Sequence, residues 1–340
     1  MKIALDAMGG DNAPNSVIDG AAIALERYPE LEFSIFGDEA KIAKLVAKHA
    51  KLAEKSQIIH SPEAISAHEK PSVAIRQGKS SSMGMAIEAV KSGAADAVVS
   101  AGNTGALMAI SKIALRTLAG IDRPAICSLF PTMNGQAVML DLGANSECSA
   151  ENLFQFAVMG EAFARVVLAK KEPSIGILNI GSEAGKGIDS VRRAADMLAN
   201  THLPLNFYGF IEGNDIAAGV VDVVVTDGFS GNIALKTAEG AGKLCAEFLK
   251  KGLSSSPRAM LGAFFAKPAL RSVFKKIDPR SHNGGMFIGL NGIVVKSHGG
   301  TDEIGFANAI EVTRNLVNDK INQQIIDEIS TANEYEELGV

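Results

Sequence analysis

Short apolar runs alternate with stretches of helical period along the chain. Strands are predicted over 3–7, 31–36, 57–60, 95–100, 125–130, 137–142, 175–180, 205–211, 221–226 and 292–296. Several of these runs are continuously apolar, as strands buried on both faces are. Helices are predicted over 17–27, 39–50, 83–92, 105–118, 150–168, 190–200, 233–250 and 302–328. This alternation predicts an α/β protein with a mainly parallel, doubly wound sheet and helices on both faces. Ligands of such sheets gather beyond the carboxyl ends of the strands. Gly, Asn and Ser are concentrated there.

With 340 residues, 47% of them hydrophobic, the chain can bury a large core, and an α/β unit of this length needs no division into separate domains. The net charge is −5, Trp is absent and there are three Tyr, which argues against nucleic acid as a partner. Cys127, Cys148 and Cys245 are odd in number and lack metal-ligand spacing, as expected of reduced cytoplasmic thiols. MKIALDAMGGD reads as a first strand, because Asp6 interrupts an apolar run too short for a leader.

Five strand-end stretches share one character: "SAGNTGALM" (100–108), "LDLGANSE" (140–147), "NIGSEAGKG" (179–187), "TDGFSGN" (226–232) and "NGIVVKSHGG" (291–300). Glycine lets a backbone approach a ligand, and N–H groups at a helix start attract anions. Each turn alone holds what turns and caps require anyway; the recurrence at five ends, and Lys186 between two glycines, carry the functional reading. Asp6 and Asp11 flank Gly9-Gly10, where they orient a ligand or cap a helix.

Known fingerprints fail. "GSEAGKG" is one residue short of a phosphate loop, "RQGKSS" has Val73 in place of its first glycine, and no G-x-G-x-x-G follows a strand. The six histidines have no ligand spacing, so neither metal nor cofactor is expected. His298, beside Lys296 and Gly299-Gly300, is a turn histidine or an acid–base group. Ser81 and Ser230 lack a nucleophile elbow.

"LDAMGGDNAP" (5–14), "QGKSSSMGMA" (77–86), "SAGNTGALM" (100–108), "LDLGAN" (140–145), "TDGFSGNIALKT" (226–237) and "GLNGIVVKSHG" (289–299) together resemble the bacterial phosphate acyltransferases of phospholipid synthesis. The resemblance spans nearly the whole chain in order. It implies transfer of a fatty acyl group from acyl-[acyl-carrier protein] to inorganic phosphate, giving acyl phosphate for phosphatidic acid synthesis. It also implies a three-layer α/β/α fold similar to phosphotransacetylases and to isocitrate or isopropylmalate dehydrogenases, with residues 1–340 forming two interleaved subdomains around a cleft. A homodimer, work at the inner membrane surface and a downstream glycerol-3-phosphate acyltransferase are further implications. One departure lies at Gly181-Ser182-Glu183-Ala184-Gly185, where the family typically has two or more glutamates; Lys186 is in place.

On that reading phosphate is itself the nucleophile and the thioester is already activated, so the protein need only align two substrates and steady an oxyanion. Lys186 and the N–H groups around Gly228, Ser230, Gly231 and Asn232 are expected to hold phosphate or the oxyanion, with Asn232 on the reacting oxygens. Gly102, Asn103 and Thr104 are expected on the opposite wall, Asp6 near the substrate, and His298 to protonate the leaving thiolate.

From Lys250 to Arg280 eight basic residues face one acid. Within 254–280 Leu261, Phe264 and Phe265 fall at helical spacing before Pro268; Leu270, Val273, Phe274 and Ile277 do so after it, with Lys267, Arg271 and Lys275 framing the stripe. Two short helices split at Pro268 are predicted, packed on the core or a dimer mate, or meeting a membrane surface or the acidic carrier protein. Two rivals are disfavoured: a metal-dependent 2-hydroxy-acid dehydrogenase, whose clustered Asp ligands and Arg trio do not stand at convincing spacing, and a non-catalytic membrane-binding regulator, against which the intact Gly, Asn and Lys turns argue.

Overall fold

The computed structural model describes residues 1–69, 71–277, 280 and 283–338, with the backbone alone at 71, 72, 77, 272–277 and 331–338. Its strands are β1 (Lys2–Asp6), β2 (Glu32–Gly37), β3 (Ser56–His60), β4 (Ala97–Ser100), β5 (Ala125–Thr132), β6 (Gly135–Leu140), β7 (Ser174–Leu178), β8 (Asn206–Ile211), β9 (Val223–Val225), β10 (Gly285–Ile288) and β11 (Ile293–Lys296). The helices are α1 (Asn15–Arg27), α2 (Glu39–Val46), α3 (Ala50–Lys55), α4 (Pro71–Gln77), α5 (Ser82–Lys91), α6 (Thr104–Leu115), α7 (Ala150–Val167), α8 (Asp189–Asn200), α9 (Gly213–Ala218), α10 (Gly228–Leu253), α11 (Pro257–Ile277), α12 (Glu303–Asn318) and α13 (Ile321–Leu338).

The strands form one sheet in the order β3-β2-β1-β4-β11-β10-β5-β6-β9-β7-β8. Side chains alternate across it: Ile3 and Leu5 enter one core while Ala4 enters the other. The first core takes in α1, α2, α7, α8, α12 and α13, the second α5, α6 and α9, which gives three layers. Full burial of Phe156, Phe306 and Ile18 contributes about 1.5–3 kcal/mol each.

The sheet is not uniformly parallel. β10 is antiparallel to both β11 and β5, and β5 is antiparallel to β6, whereas every pair outside this seam is parallel. Two parallel halves of opposite direction therefore meet at the seam. β11 runs with β5 and β6 runs against it, so the carboxyl ends of the two halves point toward one another. Along β5 the offset is small: Cys127 pairs with Met286 next to the β11 end, and Ser128 pairs with Met139 next to the β6 end.

Four expectations change. The helix expected over 302–328 breaks at Lys320, whose φ of 52° lies in the left-handed region, leaving α12 and α13. The one expected over 39–50 breaks after Val46. α10 begins at Gly228 rather than 233, because the Asp227 carboxylate accepts the Ser230 N–H and caps it. Finally, α11 continues through Pro268, with Ala263, Ala266, Ala269 and Leu270 sustaining helix on both sides of the lost hydrogen bond. The basic segment is one helix, which turns back along α10 after the 254–256 connection; α10 and α11 form an arm.

Candidate functional site

The wall built by β1, β4 and β11 ends on Asp6, Ser100 and Lys296, which are register partners across three neighbouring strands. Asp6 accepts from the Ser82 hydroxyl at 2.6 Å and the Ser100 hydroxyl at 2.7 Å, and Ser100 Oγ in turn accepts the Gly102 N–H at 3.0 Å. Burial raises the Asp6 pKa despite these donors. Gly9 lets the next turn close over this group, since a Cβ there would stand 2.4 Å from Asp6 Oδ2 and 2.7 Å from the Gly102 nitrogen. Asp11 N–H donates to Gly299 O, and Asn12 Nδ2 to Thr301 O, so the turns after β1, β4 and β11 lock together.

Lys296 Nζ donates to the carbonyls of Ala101 and Ser297. Burial pulls its pKa down to about 8, against the opposing charge of Asp6. His298 is braced by Asn283, whose Oδ1 accepts the His298 N–H at 2.8 Å while its Nδ2 donates to Ser297 Oγ and Gly305 O. Gly300 N–H donates to His298 Nδ1 at 3.2 Å, which places the proton of the neutral ring on Nε2. Burial first, then Lys236, lowers the pKa of His298.

The facing wall is organised by Asp141, fully buried directly after β6. It accepts from the N–H groups of Ile126, Gly143, Ala144 and Asn145 and from Asn145 Nδ2. The start of α10 packs on the turn this creates: Gly228 N–H donates to Asn145 O, and a Cβ on Gly231 would lie 2.0 Å from Asp141 O. Asn232 is exposed next to Gly143, where an added Cβ would sit 3.5 Å from the Asn232 side chain. Lys186 is exposed on the turn after β7, with its carbonyl held by Asn179 Nδ2.

α10 joins the two walls. Asn232, Lys236, Glu239 and Lys243 recur at intervals of four, three and four residues, one face of a helix. Lys236 and Lys243 both bear on His298, Lys236 also on Lys296, and Lys236 pairs with Glu239 at 2.8 Å. The cleft thus brings together Asn232, Lys236, Lys296 and His298. Lys236 and Lys296 were missed from sequence; one helical turn beyond Asn232 and the last residue of an apolar strand are the signals that mark them.

Several expected contacts are otherwise engaged. Asp6 is 1% exposed and braces its wall from behind rather than touching a ligand. Asn103 Oδ1 caps α6 by accepting the Ala106 N–H, and its Nδ2 donates to Ala67 O and Glu69 O, so its amide holds a loop instead of lining a pocket. The N–H and hydroxyl of Ser230 both donate to Asp227. The Gly102 and Gly228 N–H groups have internal acceptors, Gly231 N–H donates to Asp227 O, and Thr104 is half-buried in the first turn of α6. On the arm, Leu261, Phe264 and Phe265 are exposed, the last two 71% and 73%, as are Lys267 and Arg271. The side chains of Phe274 and Lys275 lie outside the described residues.

A thiol nucleophile finds no support here. Cys127 is buried and pushed well up by burial and by Asp141; Cys148 is pushed up to about 12 by the same causes. The chemistry this cleft offers is anion binding by side-chain ammonium and amide groups, beside a neutral imidazole.

A family model described as fatty acid synthesis protein matches residues 1–324. The chain is 58% identical over 328 residues to the phosphate acyltransferase of Rhodospirillum centenum, covering 96% of this chain and 92% of that protein. It is 54% identical over 328 residues to that of Rhodospirillum rubrum, covering 96% and 94%. In fold it is similar to a phosphotransacetylase from Streptococcus pyogenes (TM-score 0.62, 20% identity, 94% of each chain) and to a branched-chain phosphotransacylase from Enterococcus faecalis (TM-score 0.59, 13% identity, 93% of this chain and 99% of that one).

Proposed function

The chain belongs to the fatty acid synthesis protein family of phosphate acyltransferases, and from that premise we propose that it transfers a fatty acyl group from acyl-[acyl-carrier protein] to inorganic phosphate by direct attack. A phosphate oxygen forms the new bond to the thioester carbonyl carbon, the C–S bond breaks, and the proton of hydrogenphosphate ends on the departing sulfur. The products are acyl phosphate and the carrier thiol.

The observation that carries this reading is the shared face of α10, which sets Asn232 at one wall and Lys236 at the other, beside Lys296 and His298. Phosphate bound along that face meets Lys236, with Lys186 reaching in from the turn after β7. Asn232 donates to the oxyanion that develops on the carbonyl. His298, neutral with its proton on Nε2, gives that proton to sulfur and regains one from phosphate. These side chains replace the backbone N–H groups of Gly228, Ser230 and Gly231, which already have acceptors.

The arm bears Leu244, Phe248, Met260, Leu261, Phe264 and Phe265 on its surface. Apolar exposure of this extent, framed by Lys267 and Arg271, suits an anionic membrane surface. Among the described residues no helix is long and apolar enough to cross a membrane, so the association is peripheral, on the cytoplasmic face. A homodimer and a glycerol-3-phosphate acyltransferase that consumes the acyl phosphate complete the proposal.

The test is acyl phosphate formation by folded Lys186→Ala and Asn232→Ala variants with acyl-carrier protein as donor. Losses of about 100-fold are expected, the size seen for one oxyanion donor. Wild-type rates in both would refute the assignment, and a labelled acyl group trapped on the protein would refute direct attack.

A further inference from the structure

One buried polar side chain beside the cleft has no part in the chemistry above. Asn283 stands just ahead of β10. Its Oδ1 accepts the His298 N–H at 2.8 Å, and its Nδ2 donates to Ser297 Oγ at 2.8 Å, to Gly305 O at 2.7 Å and to Thr301 Oγ1 at 3.2 Å. Only this orientation of the amide works. The flipped one would turn its NH2 toward an N–H donor and its oxygen toward the Gly305 carbonyl.

These bonds fall at both ends of one turn. The His298 N–H is held at its start and the Thr301 hydroxyl at its end, while the Thr301 N–H donates to His298 O at 3.1 Å and closes it. Inside the closed turn Gly300 N–H donates to His298 Nδ1 at 3.2 Å. That bond requires residues 298–301 to keep this shape, and it decides which ring nitrogen carries the proton. Ser297 is fully buried and Gly305 lies in the first turn of α12, so the amide ties the turn to two firm neighbours. There is little slack: a Cβ on Gly305 would stand 2.2 Å from Thr301 Oγ1 and 3.3 Å from Asn283 Nδ2.

We infer that Asn283 is a positioning residue for acyl transfer: by clamping both ends of the 298–301 turn it keeps His298 Nδ1 occupied, so that the proton sits on Nε2, the nitrogen that serves the departing sulfur. This rests on the acid role of His298 proposed above. The amide acts through the imidazole and is too deeply buried to meet a substrate itself.

Two variants test the clamp. Asn283→Ala removes it. Thr301→Val removes its far end alone and leaves both Nδ2 hydrogens with acceptors, Ser297 Oγ and Gly305 O, so it keeps the fold should the first variant not. The His298 ring is read by nitrogen NMR at a pH where it is neutral. In the parent one ring nitrogen is expected to resonate as bare and the other as protonated. Both variants are expected to draw the two shifts toward one another as the tautomers mix. With acyl-carrier protein as donor, kcat is expected to fall about tenfold in Asn283→Ala, part of the ~100-fold or more that a general acid supplies, with KM for phosphate unchanged. In a His298→Ala background the same substitution is expected to lower kcat no further.

Parent-like ring shifts in both variants overturn the inference. So does an equal loss of kcat in the His298→Ala background, which would mean that the amide merely supports the wall. A His298→Ala protein with the parent rate, alongside mixed tautomers in Asn283→Ala, would instead refute the acid role and leave the positioning of the ring standing.

Discussion

Lys236 stands one helical turn beyond Asn232 on α10 and lowers the pKa of His298 on the opposite wall. Because the charge acts against imidazolium, its removal has a definite sign. Lys236→Ala is expected to raise the His298 pKa, read from the imidazole resonances in an NMR titration. The same variant is expected to raise KM for phosphate about tenfold, the worth of roughly 1.5 kcal/mol for one hydrogen bond to a charged group.

Ser230 and Asn232 are neighbours with opposite expectations. The Ser230 hydroxyl donates to Asp227 at 3.0 Å, inside the cap of α10. Ser230→Ala is expected to cost about 1 kcal/mol of stability and less than threefold in kcat. The Asn232 side chain is exposed to the cleft, so Asn232→Ala carries the large kinetic loss. Steady-state kinetics and thermal melts on the two variants separate cap from catalysis.

Lys296 is predicted to trade stability for charge. Its folded pKa of about 8 lies below the ordinary 10.5. The unfolded chain therefore binds more protons than the folded one between these values, and stability rises with pH across that window. Below pH 8 the full penalty for the buried ammonium is present, about 3 kcal/mol at most. Lys296→Met is expected to be more stable than the parent at pH 7 by about 1–3 kcal/mol, with the advantage shrinking between pH 8 and 10.5 in urea melts. In the parent, KM for phosphate is expected to rise above pH 8 as this charge leaves the cleft.

Asp141, itself fully buried, holds the facing wall by accepting five hydrogen bonds from Ile126 and from the turn that follows β6. Asp141→Ala leaves those donors without an acceptor, and a loss of about 3–5 kcal/mol is expected in denaturant unfolding.

On the arm, Phe264→Asp combined with Phe265→Asp is expected to abolish sedimentation with anionic liposomes. Binding of the parent is expected to weaken as salt rises, since basic residues supply part of the attraction. Unchanged sedimentation of the double variant would remove the arm from membrane binding.

The ten strands foreseen from apolar runs are all present; those buried on both faces, such as β4 and β9, are visible from composition alone, and the part-exposed β3 and β8 still carry short apolar runs. β10 escaped: Met286, Phe287 and Ile288 are too few to stand out between Gly285 and Gly289. The partition into facing halves was equally hidden, since it depends on β5 and β10 pairing antiparallel across the middle, and partner choice is non-local. Motif residues told where the cleft turns lie but not which side chains remain free in them. Asn103, Ser230 and Asp6 carry the right chemistry in sequence, and only their acceptors and donors reveal that it is directed inward. Lys236 reads as an ordinary surface lysine until α10 is seen to span both walls.

That helix is also a lever. α10 is rooted at Asp227 and runs for 26 residues, about 39 Å, with few buried positions beyond its first turn. A tilt of about 5° at the root sweeps the far end near Leu253 through roughly 3 Å. The attitude of the arm's tip is therefore set by the few residues that root the helix, Gly228 and Gly231 among them.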